Sequence, residues 1–270
     1  MRSSSRVWRI VSFLSFVTTL LLLCGFIYAV KDITYPSASS GMELVPSTDQ
    51  KDQPAVSPGQ TGIVVIGDSL AKGTGDDEGL GFAMRTVQLL QEKDKNQEVR
   101  LFGNLGINGL TTDSLSEELK EKGVQYMLKE ANVILLSIGG NDLFNGGQAL
   151  ENGDDLPTAK ELNASIDAAS VKLKSVAKQI VAINPDATLV YIGLYNPFSD
   201  LQEMRSIGNT AAARWNMLAL ETFNPYRNAL VVPTYDLFAG NVSKYLSGDH
   251  FHPNGEGYQQ IAERIVQSLN

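Results

Sequence analysis

From about residue 61 onward the apolar residues fall into two alternating patterns: short continuous runs, and longer stretches with apolar positions three or four apart. The first run, Ile63-Val64-Val65-Ile66, is four β-branched residues in a row, which suits a strand covered on both faces, as in a parallel sheet. Gly67 marks the tight turn at its end. Residues 99–102, 133–138, 188–194 and 230–234 read as four further strands. Between them, 82–93 shows helical spacing through Met84, Val87, Leu89 and Leu90, and 160–183 places Ile166, Ala169, Leu173, Val176, Ala177 and Ile180 on one face. Asn184-Pro185 stops that helix. Thr111 or Thr112 caps another, beginning near Asp113 with Glu117 and Glu118 in its early turns, and 211–222 and 255–269 complete the set. Residues 104–109 read as a loop, and 145–158 as a Gly- and Asp-rich loop of a length that often covers a site. Strands alternating with helices are the sign of βαβ units and an α/β fold.

The N-terminus is patterned differently. Residues 10–30 carry no charge, and as a helix they would span about 31 Å, close to the roughly 30 Å hydrocarbon thickness of a bilayer. Arg2, Arg6 and Arg9 precede this run and only Lys31 beside Asp32 follows, so the positive-inside rule puts the N-terminus in the cytoplasm and the rest outside. The competing reading is a signal peptide, with secretion after cleavage; such a peptide has a shorter apolar region and a small-x-small site, and Tyr28-Ala29-Val30 supplies none. Cys24, the chain's one cysteine, lies inside the run after Leu23, where lipidation sites carry a small residue, so it reads as a plain membrane-buried thiol. Four prolines punctuate the next stretch, a linker. The organisation expected is therefore a cytoplasmic stub with a transmembrane signal-anchor (1–31), a flexible linker (32–60) and one catalytic-size domain (61–270).

Charge narrows the function. The net charge is -8, but four of the 22 cations lie within the first 31 residues, so from Asp32 onward 18 cations face all 30 acids. A body this acidic repels phosphate backbones, which counts against a nucleic-acid partner. With no cysteine in the body, disulfide and thiol chemistry are excluded there.

Chemistry-bearing residues cluster after the apolar runs. Ser69 follows the first strand, Gly109 the second, Asn141 the third, and Asp249 and His252 stand just before the last helix. In an open α/β sheet the carboxyl ends of the strands share one edge, so all five can meet there. Each has a plain structural reading: Ser69 as a helix cap, Asn141 as a turn former, Gly109 as a left-handed turn. Together they supply a nucleophile (Ser69), a base (His252), an orienting carboxylate (Asp249), and donors for an oxyanion in the amides of Ser69 and Gly109 and the side chain of Asn141. Asp249, His250 and His252 could instead ligate zinc, but no further histidine or body cysteine completes such a site. The Gly-x-Ser-x-Gly elbow of ordinary α/β-hydrolases is absent.

The blocks Gly67-Asp68-Ser69-Leu70, Asn104-Leu105-Gly106-Ile107-Asn108-Gly109, Gly140-Asn141-Asp142 and Asp249-x-x-His252-Pro253, in that order, resemble those of the SGNH, or GDSL-type, hydrolases of lipids and other esters. The resemblance spans about 61–270. It implies a three-layer, flavodoxin-like fold with a five-stranded parallel sheet, no cofactor and no metal, and the roles just assigned, with Gly109 and not Gly106 as the oxyanion donor. Many relatives resemble one another in an acidic residue after that glycine; here it is Leu110. The expected activity is ester hydrolysis outside the membrane, on a small-molecule or lipid ester. The alternatives are an O-acetylesterase of wall or secreted glycans and a non-catalytic protein that presents its cleft to a partner.

Overall fold

The computed structural model describes residues 8, 12–19, 21–23, 60–147 and 156–269. The chain divides into two compact units, Met1–Gln53 and Pro54–Asn270. In the first, 12–19 and 21–23 are helical. Among the described residues no helix is long and apolar enough to cross a membrane. Of the expected span, 10–30, residues 12–19 and 21–23 are described and the rest lies outside, as do Cys24 and all but the last residue of the expected linker.

The second unit is built on a five-stranded sheet of order β2-β1-β3-β4-β5, every pair parallel. Its strands are β1 (Gln60–Gly67), β2 (Glu98–Gly106), β3 (Val133–Ser137), β4 (Thr188–Ile192) and β5 (Ala229–Val232). This is the flavodoxin-like order, with its switch point between β1 and β3. The run at 63–66 does what β-branched residues on a pleated strand must. Val64 and Ile66 enter the core on one face with Ile166 and Trp215, while Ile63 and Val65 enter the other with Phe82 and Tyr258.

The helices are α1 (Ser69–Lys72), α2 (Gly81–Lys93), α3 (Thr112–Glu118), α4 (Lys122–Lys129), α5 (Gly140–Phe144), α6 (Ala159–Ile183), α7 (Gln202–Phe223), α8 (Tyr235–Phe238), α9 (Val242–Tyr245) and α10 (Gly255–Ser268). α6 and α7 pack with α3 on one face, and α2 with α10 on the other. Thr158 and Glu161 close a capping box at the start of α6.

Several expectations need correction. β2 runs on through Asn104-Leu105-Gly106, so only the second half of 104–109 is loop; the polar Asn104 stays in the strand because both ends of its amide are used, donating to Ala71 O at 2.9 Å and accepting from Gly106 N at 2.9 Å. α3 ends at Glu118, which puts Glu117 and Glu118 in its last turn. There Glu117 is compensated by Lys120 at 2.6 Å, and Asp113 is the acid of the first turn. α7 begins nine residues before 211, the start expected for that helix; Met204 and Gly208 are buried on the added turns. Within 145–158, Asn145–Gly147 is a single 3-10 turn and 148–155 lies outside the described residues.

Candidate active site

The site begins with a close approach. At Gly67, φ is +136° and a Cβ would lie 1.7 Å from Ser137 O, so only glycine lets β1 end against β3. The next amide, Asp68 N, donates to Ser137 O at 2.9 Å, and the Asp68 carboxylate caps α1 by accepting from Leu70 N at 3.1 Å. Ser69 is therefore the first residue of a helix, 5% exposed, with its N–H left over from the intrahelical bonds. The cap is Asp68 and not Ser69, whose hydroxyl is consequently free for another partner.

That partner is His252. Its Nε2 lies 2.7 Å from Ser69 Oγ and its Nδ1 2.6 Å from Asp249 Oδ2. The loop that carries both residues is closed by an antiparallel bridge between Leu246 and Pro253, and by Asn254, which caps α10 and donates to Lys244 O and Leu246 O. Asp249 Oδ1 accepts from Ser247 Oγ at 2.7 Å and from the amides of Phe251 and His252 at 2.9 Å each. Burial pushes this carboxyl up, but the His252 ring, the two amides and the Ser247 hydroxyl outweigh it and hold the group down at about 2. It is a permanent carboxylate facing the imidazole. His250, by contrast, has φ +57° and a side chain 60% exposed, 3.9 Å from Asp200. The two histidines thus face different partners, and no group of three or more metal-capable side chains occurs among the described residues.

The expected oxyanion donors are tied to the serine by hydrogen bonds. Asn108 accepts from Thr74 Oγ1 at 2.9 Å, and Thr74 N donates to Ser69 O at 3.0 Å, which joins the turn holding Gly109 to α1. Gly109 has φ +76° with open space where a Cβ would be, so the backbone alone requires glycine there. Gly106 is glycine for another reason: a Cβ would lie 2.3 Å from Lys72 N. Asn141, in the first turn of α5, donates through Nδ2 to Leu110 O at 2.9 Å. Leu110 contributes through its carbonyl while its side chain is buried, so the missing acid after Gly109 costs this tie nothing. Asp142 adds a second tie, accepting from Thr112 Oγ1 at 2.7 Å and Thr112 N at 3.0 Å. Gly139 admits α5 itself, since a Cβ there would lie 2.4 Å from the Trp215 ring.

Residues 65–260 match the GDSL-like lipase/acylhydrolase family. The chain belongs to that family. It is 31% identical over 210 residues to the uncharacterized protein YpmR of Bacillus subtilis, covering 77% of this chain and 80% of that one. It is 28% identical over 211 residues to the spore germination lipase LipC of Bacillus licheniformis, covering 74% and 92%. Among solved structures it resembles the lipase Lip_vut3 from a goat rumen metagenome, with a TM-score of 0.65, 25% identity, and 77% and 97% of the two chains covered.

One group in this family member went unread in the sequence beyond its place in the motif. Asp68 is 4% exposed and its carboxyl is raised to about 7, chiefly by burial and slightly by Asp142, against the Ser137 hydroxyl and the amides of Leu70 and Ala71. Between 3.8 and about 7 the folded protein holds a proton that the unfolded chain has released, so stability is greatest below that window and falls as pH rises through it. The difference is of order 4 kcal/mol at about 1.4 kcal/mol per unit. Asp68→Asn keeps an oxygen for the cap and removes the titration. Urea unfolding at pH 4.5 and 7.5 should show the variant gaining on the wild type by several kcal/mol at the higher pH; parallel curves would mean that Asp68 is ionised throughout.

Proposed function

We propose that this chain is a serine ester hydrolase that works outside a membrane to which its N-terminal segment tethers it. The observation that carries the chemistry is the unbroken line from Asp249 through the His252 ring to Ser69 Oγ, with every hydrogen bond at 2.6–2.7 Å. His252 Nε2 takes the hydroxyl proton as Ser69 Oγ bonds to the acyl carbon, and the carbonyl oxygen becomes an oxyanion. The amides of Ser69 and Gly109 and the second hydrogen of Asn141 Nδ2 stabilise that charge, the first hydrogen being engaged by Leu110 O. Collapse breaks the bond to the alcohol, which leaves with the His252 proton; water then repeats the sequence on the acyl-enzyme. Asp249 keeps Nδ1 protonated and Nε2 available. The name of LipC supports an acyl ester as substrate.

A serine-directed phosphonate ester tests this reading. Its phosphorus should bond to Ser69 Oγ and lose its leaving group, labelling the wild type and sparing His252→Ala, because a hydroxyl without a base is a poor nucleophile. Labelling at another serine, or equal labelling of the variant, would end the proposal. The tether rests on the charge-free run 10–30 and the arginines before it. Protease added to intact cells should release the second unit by cutting within 32–60, and full protection until lysis would reverse the topology.

A further inference from the structure

Beside Ser69 lies a narrow pocket of about 30 Å³, bounded by Leu70, Phe144, Leu194, Tyr195, Pro197 and Phe251, with Asp68, Ser69, His252 and Gly140 at its polar edge. Building on the ester-hydrolase reading above, we propose that it holds the acyl group and restricts the substrate to short acyl chains, from acetyl to about butyryl.

The assignment to the acyl side follows from the two-step chemistry. The alcohol must depart once His252 has protonated it, and a water must then come in by the same route to attack the acyl-enzyme. Beyond its polar edge the pocket is lined by apolar side chains, which offer that water few hydrogen-bonding partners. The group that remains on Ser69 through both steps is the acyl chain, and an apolar wall beside the nucleophile suits it.

The length limit follows from volume and stiffness. One water-sized sphere needs about 10–15 Å³ by this measure, so the pocket has room for about two or three chain atoms beyond the carbonyl carbon. Its walls are braced against widening. Tyr195 stacks on Phe238 with centroids 3.9 Å apart and donates its hydroxyl to Phe251 O at 2.8 Å. Phe144 meets Phe198 edge to face at 5.6 Å, and Phe198 in turn lies 6.0 Å from Phe251. Phe251 stands edge-on to the His252 ring at 5.0 Å. A chain long enough to displace Phe251 therefore disturbs the base that must act on it, and length is read in turnover as well as in binding.

The test is a ladder of p-nitrophenyl acetate, butyrate, octanoate and dodecanoate, each below its micellar limit, on the full chain. Wild type should show its highest kcat/KM at two to four carbons, with a fall of about tenfold or more by eight, the scale that a tight apolar pocket sets per methylene group. Leu194→Ala opens the wall and should raise the octanoate-to-butyrate ratio by about tenfold; Phe144→Leu should do so by less. Because the ratio is internal to each preparation, partial unfolding of a variant does not obscure it. Octanoate and dodecanoate cleaved as fast as butyrate by the wild type, or a ratio that neither variant moves, would overturn the short-chain assignment while leaving the hydrolase standing. No cleavage at any length, with no phosphonate on Ser69, would remove the underlying reading itself.

Discussion

Ser69→Ala, His252→Ala and Asp249→Asn should each lower ester turnover by roughly 10,000-fold or more, and the double and triple variants should lose little beyond the worst single one. On the proposed mechanism the three side chains act as one unit: without His252 the Ser69 hydroxyl has no acceptor at 2.7 Å, and without Ser69 the imidazole has nothing to activate. Asp249→Asn is the most informative. Its side-chain oxygen can still accept from Ser247, Phe251 and His252 N, so the loop keeps its shape, but an NH₂ group then faces Nδ1 where a carboxylate stood. The imidazole would be turned to the wrong tautomer without being moved. Circular dichroism should show native folding in all three, and His250→Ala, altering a side chain that faces Asp200, should keep most of the activity. If His250→Ala were as damaging as His252→Ala, the line through Ser69 could not be the working unit. Asp249 adds a pH signature. Its depressed value means that the stability it contributes is present above 3.8 and lost only as pH falls toward 2, so acid loss of activity above pH 4 cannot be assigned to this carboxylate.

The strands were readable from the chain because a central parallel strand buries both faces and so must be apolar throughout; 63–66 and 133–136 leave no alternative. β2 was read short for the complementary reason. Among the described residues it is an edge strand, paired on one side by β1, and edge position tolerates Asn104 and Gly106, which look like loop residues. α4 escaped notice because it is only eight residues long: Val124, Met127 and Leu128 do fall at the i, i+3, i+4 spacing, but a stripe of two turns is too short to stand out along the chain. The first turns of α7 were missed because Gly208 lies within them; the structure requires it, since a Cβ would lie 2.5 Å from Asn196 Oδ1.

The convergence of the expected site residues was legible for a different reason: topology forces the ends of β1, β2 and β3 to one edge, so residues far apart in sequence need only follow their strands to meet. What the chain does not announce is the support. Asp68 in the motif reads as one more polar turn residue until its burial, its cap on α1 and its bond from Ser137 are seen together. Tyr195 and Phe251 are buried aromatics that carry no motif of their own. Phe251 stands against His252 with its carbonyl accepting the Tyr195 hydroxyl from 56 residues away, a tie that no local pattern encodes.

Asn141→Ala should lower kcat by roughly 100 to 1,000-fold with little change in KM, the usual result of losing one preorganised donor to a developing oxyanion. A ground-state carbonyl gains little from that donor, whereas the tetrahedral oxygen carries the charge it is aimed at, so the loss belongs in kcat. The alanine variant also cuts the bond to Leu110 O, which helps hold the turn carrying Gly109, and this second loss must be separated from the first. Asn141→Asp does not separate them, because it removes both donations as well and adds a charge of the wrong sign. Thr112→Val does: it deletes the hydroxyl donated to Asp142 and loosens the same turn while Asn141 keeps both its hydrogens. If the amide acts directly on the oxyanion, Thr112→Val should cost far less kcat than Asn141→Ala at a comparable loss of melting temperature. Equal losses in the two variants, or a change confined to KM in Asn141→Ala, would make Asn141 a brace or a substrate contact and leave the oxyanion to the amides of Ser69 and Gly109 alone.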